Sequence, residues 1–187
     1  MKDQLSLFEE ERFEYFFLIQ PDGKTEKEVR SYKMILNEAI PLSHENTLST
    51  PHLSLFKWQV NGGIDNYIIQ KTSKALKNVS SFKVKLGGMD IYTHGSSTRS
   101  LVLKVDNPDP IRAVNRSLVN EFQFKEQKLQ PHITIARSIP AQDFNKLGYR
   151  FRQFDYKGEF YCNKISILKK RIGDDKNYIL LHEEKLN

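Results

Sequence analysis

Apolar and polar positions along the 187-residue chain fall into an order that occurs twice. Residues 14–22, EYFFLIQPD, form a dense apolar run that ends at a Pro-Asp turn. The following segment, KTEKEVRSYKMILNEAI, places Val29, Tyr32, Ile35, Leu36 and Ala39 at helical spacing. After Pro41 and a polar stretch, HLSLFKW (52–58) alternates and predicts a strand. From residue 100 the order returns. SLVLKVDNPDP is a strand and a second Pro-Asp turn, IRAVNRSLVNEF spaces Ile111, Val114, Leu118 and Phe122 for a helix, and HITIARS alternates.

Between the two units, IDNYIIQKTSKALKNV (64–79) predicts a helix on Ile64, Tyr67, Ile68, Lys71 and Ala75. FKVKLGGMDIYT then alternates up to a Gly-Gly break. KISILKKR and NYILLHEE close the chain as two strands, with GDD (173–175) as a hairpin turn. Helices outside antiparallel or mixed sheets define an α+β class. The repeated order predicts two pseudo-symmetric β-α-β-containing lobes around a central cleft. No linker rich in Pro, Gly or Ser separates them, so residues 1–187 are expected to pack as one domain.

Composition narrows the setting. Hydrophobic residues are 39% and charged residues 28%, a globular balance. No run approaches the ~18 apolar residues of a membrane span, and three consecutive Glu occupy the place of a leader's apolar core, so a cytoplasmic protein without a membrane partner is expected. The single cysteine, Cys162, cannot form an intramolecular disulfide and reads as a packing residue. A net charge of +6 permits an anionic partner such as RNA without requiring one. A monomer is the expected assembly.

The candidate chemistry lies in TPHLSLF (50–56) and QPHITIA (130–136), in which Pro-His-aliphatic-Ser/Thr-aliphatic occurs twice, 80 residues apart. Strand alternation sends His52, Ser54 and Phe56 one way and Leu53 and Leu55 the other. His132, Thr134 and Ala136 likewise oppose Ile133 and Ile135. With the aliphatic side chains in the core, each imidazole and its hydroxyl stand roughly 6.6 Å apart on the polar face. Approximate two-fold symmetry brings both pairs to one cleft. Two imidazoles and two hydroxyls suit displacement at phosphorus: one neutral histidine takes a proton, the other, protonated, donates one, and the hydroxyls bind non-bridging oxygens. No metal is expected, since two histidines are too few ligands for a metal site.

The paired H-x-[ST]-x motifs in TPHLSL and QPHITIAR, with the opening strand YFFLIQPD, resemble those of the 2H phosphoesterase superfamily. Within it they are most similar to the LigT-like branch of 2′-5′ RNA ligases and RNA 2′,3′-cyclic phosphodiesterases. The resemblance implies a bilobal α+β fold, His52 and His132 as the acid–base pair, Ser54 and Thr134 as phosphate-binding hydroxyls, and no cofactor. It also implies an RNA or nucleotide substrate carrying a 2′,3′-cyclic phosphate or a 2′-5′ linkage. Which histidine is acid and which base stays open, and a non-catalytic nucleotide-binding module is the alternative. Ser54 stands where many relatives have Thr, which keeps the donor and loses the β-branch.

Other residues carry weaker signals. Arg137 resembles the arginine common after the second motif, although strict alternation turns it away from His132 unless the strand bulges. Lys57 has the same parity and reads as solvated. Tyr92 and His94 lie in a polar, turn-rich stretch that could rim the cleft, with Tyr92 a candidate base-stacking contact. Lys169, Lys170 and Arg171 form the densest basic cluster, equally suited to steering a polyanion or to a charged turn. His44 is placed in a polar loop, His182 in a terminal strand and Trp58 in packing.

Overall fold

The structure is a computed structural model and describes residues 11–125, 128–173 and 177–187. The apolar run at the start forms β1 (Arg12–Ile19), and the first Pro-Asp turn becomes a helix cap. The Asp22 side chain accepts from the Thr25 N–H at 2.9 Å and opens α1 (Gly23–Ala39). A short helix, α2 (His44–Leu48), follows where the sequence predicts a polar loop. It is capped by Ser43, and its one buried residue is Asn46. Then come β2 (Leu53–Asn61), α3 (Asp65–Leu76), β3 (Phe82–His94), β4 (Thr98–Val105), α4 (Asp109–Glu121) and β5 (His132–Pro140). The chain ends with α5 (Ala141–Lys146), a 3-10 segment (Gly148–Phe154), β6 (Lys157–Cys162), β7 (Lys164–Arg171) and β8 (Ile179–Lys185).

All eight strands belong to one antiparallel sheet in the order β6-β3-β4-β5-β2-β1-β7-β8, so the fold is α+β as the patterning predicts. The sheet divides into two halves of four strands. They meet at β5 and β2, where the register runs through the single pair Leu53↔Ile133. Each half contains one strand–helix–strand unit, β1-α1-β2 or β4-α4-β5, with the motif strand at the inner edge. One continuous core joins the halves, and it includes Leu53, Leu55, Ile133 and Ile135 from the motifs and Ile111, Val114 and Leu118 from α4. Cys162 is buried in it.

Among the described strands the register shifts at five places, and three of these bulges bear on the motifs and on the Gly-Gly pair. Against β1, Phe17 pairs with Phe56 but Leu18 pairs with Ser54, which leaves Leu55 as an extra residue. Against β4, Leu101 pairs with Ala136 but Val102 with Thr134, which leaves Ile135 extra. The Gly-Gly pair is the third bulge and does not end its strand: β3 continues through it, with Gly88 at φ 91°. Tyr92 and His94 therefore sit on a strand, not in a loop. The proposed GDD turn lies partly outside the described residues, at Asp174 and Asp175.

Candidate active site

The motif halves converge where the sheet is narrowest. Continuing the Leu53↔Ile133 register by one residue each way sets His52 opposite Thr134 and Ser54 opposite His132. All four lie on the face opposite the buried Leu53 and Ile133. The two histidines are then diagonal neighbours across the strand pair, about 7–8 Å apart at the backbone.

Both imidazoles are held in the same way. His52 Nδ1 lies 2.7 Å from the Thr50 carbonyl, and His132 Nδ1 lies 2.9 Å from the Gln130 carbonyl, each two residues back across a proline. A carbonyl only accepts, so in both rings Nδ1 carries the hydrogen and Nε2 is left to exchange a proton. An aromatic edge braces each ring: Phe16 stands 5.2 Å from His52 at 86°, and Tyr92 stands 4.9 Å from His132 at 70°. Tyr92 thus joins the site, against the ring of His132.

The two motif bulges change which side chains follow. Because Leu55 is inserted, Phe56 turns to the helix side, where it stacks on Phe17 at 4.3 Å, contrary to its expected place beside His52. Lys57 turns onto the histidine face. It stays exposed, as expected, while its ammonium sits 4.7 Å from the centre of the Phe16 ring and donates to Glu14 at 2.9 Å and Tyr178 at 2.7 Å. Ile135 does the same for Arg137 and removes the parity objection. Ala136 is buried, whereas Arg137 is exposed beyond Thr134. Lys57 and Arg137 occupy equivalent places in the two halves, three residues beyond Ser54 and Thr134.

Helix α2 ties the first motif to the second. Arg137 has no register partner on β4, and the Asn46 side chain takes that role: Oδ1 accepts from the Arg137 N–H and Nδ2 donates to the Arg137 carbonyl, both at 2.9 Å. Lys33, 3% exposed on α1, donates to the carbonyls of Asn46 and Ser49 and to the Ser49 hydroxyl, and so fixes the segment that ends at Thr50. Burial, with Arg30 and Arg137 nearby, pushes this lysine down to about 8. His52 is lowered by burial first, against the opposing bond to Thr50, and then by the cations Lys33, Lys57 and Arg137. Asn46 and Lys33 are absent from the sequence reading because each is a lone polar residue whose partner is set by the sheet junction.

The remaining candidates have structural partners. His94 Nε2 contacts the Ser100 hydroxyl and His182 Nε2 contacts Glu184, each at 2.9 Å. Lys169 pairs with Asp65 and Arg171 with Glu11, so two of the three cluster cations are engaged. Among the described residues, no three His, Cys, Asp or Glu side chains converge in a metal-binding group. No described helix is long and apolar enough to cross a membrane.

The sequence model of the 2′-5′ RNA ligase superfamily matches residues 21–174. Among solved structures, Escherichia coli LigT in complex with 3′-AMP is similar at 14% identity and TM-score 0.62, covering 94% of this chain and 98% of its own. TT0787 of Thermus thermophilus is similar at 12% identity and TM-score 0.61, covering 92% and 97%. Usb1 of Kluyveromyces marxianus is similar at 13% identity and TM-score 0.51, covering 90% and 97%. No curated protein sequence matches. The family match spans most of the chain and both histidine motifs, and the chain therefore belongs to the 2′-5′ RNA ligase superfamily.

Proposed function

We propose that the protein is a metal-independent phosphoesterase that opens a 2′,3′-cyclic phosphate, or acts on a 2′-5′ phosphodiester, in RNA or a small nucleotide. The observation that carries this is the pair of imidazoles on one face, each with Nδ1 bound to a carbonyl and Nε2 without a hydrogen-bond partner among the described residues, alternating with two hydroxyls. His52 is the base in this reading. Burial and three cations keep its ring neutral near pH 7, so Nε2 takes the proton of the attacking water. His132 donates the proton that the departing ribose oxygen needs. Ser54 and Thr134 donate to the non-bridging oxygens, and Arg137 balances the charge that builds on them. Tyr92, beside His132, is the candidate contact for the base or ribose. The reading takes RNA or a nucleotide as the only partner, in a monomeric cytoplasmic protein.

The test is hydrolysis of the four nucleoside 2′,3′-cyclic monophosphates, and of a short RNA ending in a cyclic phosphate, in EDTA. His52→Ala and His132→Ala should each lose ~10²–10⁴-fold in turnover, about 2.7–5.5 kcal/mol of barrier, and remain folded. Near-normal turnover in either variant sinks the assignment. Nucleotide binding without turnover by the wild-type protein would favour the binding-module alternative.

A further inference from the structure

We infer that the protein carries a second nucleotide-binding pocket, lying between β2 and the end of α4, lined by neither histidine and bordered by Lys57. The pseudo-symmetry of the two halves exposes it. On one side of the Leu53↔Ile133 junction, α2 lies beside β5 and Asn46 fills the gap by binding the Arg137 backbone. On the other side, β2 past its bulge borders an open cavity of about 360 Å³. Its walls include Phe56, Trp58 and Phe124, with Asn115 from α4 and the lysines 125 and 128 around it.

Three features define the ligand. Asn115 is 6% exposed, and its Oδ1 has no hydrogen-bond partner, which is costly for a buried acceptor unless a ligand N–H or O–H completes it. The Trp58 and Phe124 rings, 5.0 Å apart at 69°, offer an aromatic wall to a planar ring. Lys125 and Lys128 are exposed, have no ion-pair partner among the described residues, and supply positive charge. A flat heterocycle bearing N–H donors and a phosphate satisfies all three, and the volume suits one nucleotide. Leu129 in the same wall precedes Gln130, whose carbonyl holds His132, so the occupant sits beside the segment that orients the second motif.

This inference rests on the cavity and not on the catalytic reading. Trp58 is the only tryptophan in the chain, so its emission reports the pocket directly. Titration of the full chain with 5′-AMP, and separately with a short oligoadenylate, should give a saturable change in that emission. The change should persist in His52→Ala/His132→Ala and weaken about tenfold in Asn115→Leu, the expected effect of losing one buried hydrogen bond. Lys125→Glu/Lys128→Glu, on the surface, should weaken it as well and covers the case in which the Asn115 variant fails to fold. Equal affinity for the two ligands identifies a free nucleotide, and much tighter oligonucleotide binding identifies a strand segment. No saturable change, or one abolished by the histidine variant but untouched by both pocket variants, overturns the proposal.

Discussion

Asn46→Ala tests whether α2 holds the site together. The substitution removes three neutral hydrogen bonds: to the Arg137 carbonyl and from the Arg137 N–H, each 2.9 Å, and to the Ser43 hydroxyl at 3.1 Å. At about 0.5–1.5 kcal/mol net for each, the sum is ~1.5–4.5 kcal/mol. Arg137 is exposed, so water recovers part of its share, and a loss of about 2–3 kcal/mol is expected. For a chain of this size that corresponds to a Tm lower by about 4–12 °C. Urea unfolding gives the free energy directly, and kcat/KM on a 2′,3′-cyclic nucleotide should fall roughly tenfold or more as Arg137 loses its backbone anchor. Asn46→Asp keeps the acceptor for the Arg137 N–H but not the donor to its carbonyl, so it should fall between wild type and alanine. A stability change below about 0.5 kcal/mol with unchanged kcat/KM would refute the reasoning.

Further outcomes follow from the same contacts. Burial works against ionisation of Glu14, but hydrogen bonds from Gln59, Tyr178 and Lys57 outweigh it and hold the carboxyl at about 2, against an ordinary 4.5. The unfolded chain therefore binds the proton first, so this stabilisation is complete above pH 4.5 and is lost as pH falls toward 2. Denaturant unfolding across that range should show a shallower acid decline in Glu14→Gln than in wild type. Lys57→Met removes a cation that lowers the His52 pKa, so an NMR titration should find His52 titrating higher, and an unchanged midpoint would deny the coupling. Gly88→Ala places a Cβ 2.1 Å from the Asp155 carboxylate at φ 91°, and a stability loss of about 1–3 kcal/mol should appear in thermal unfolding.

The sequence displays the elements whose apolar spacing is regular. α4 buries Ile111, Val114 and Leu118, as its periodicity requires, and both motif strands bury the expected aliphatic residues. It also displays the two histidines and hydroxyls, because period-2 alternation holds over those first positions. Bulges end that legibility. A single inserted residue at Leu55 or Ile135 reverses the facing of everything after it, so Lys57, Phe56 and Arg137 cannot be placed from parity. α2 is too short and polar for periodicity to reveal, and the value of Asn46 depends on an unpaired backbone contributed 91 residues later. On α1, the buried face takes in Lys33 while Ile35 is 39% exposed, because the acceptors from Asn46 and Ser49 satisfy the ammonium there.

The backbone of the site is nearly two-fold, and cations from both halves gather around His52. Both rings have a carbonyl at Nδ1 and an aromatic edge alongside. The His52 pKa is lowered by burial, together with Lys33, Lys57 and Arg137. One of those cations, Arg137, comes from the opposite half, brought across by the Ile135 bulge and fixed by Asn46. A duplicated strand–helix–strand unit alone would give two similar imidazoles competing for the same proton. The cations around His52 lower its basicity, and in the proposed mechanism the neutral ring is the state that accepts the proton of the attacking water. In the proposed mechanism the repeated motif strands supply the groups, and Lys33 on α1 and Asn46 on α2, which fixes Arg137, bring added positive charge to His52.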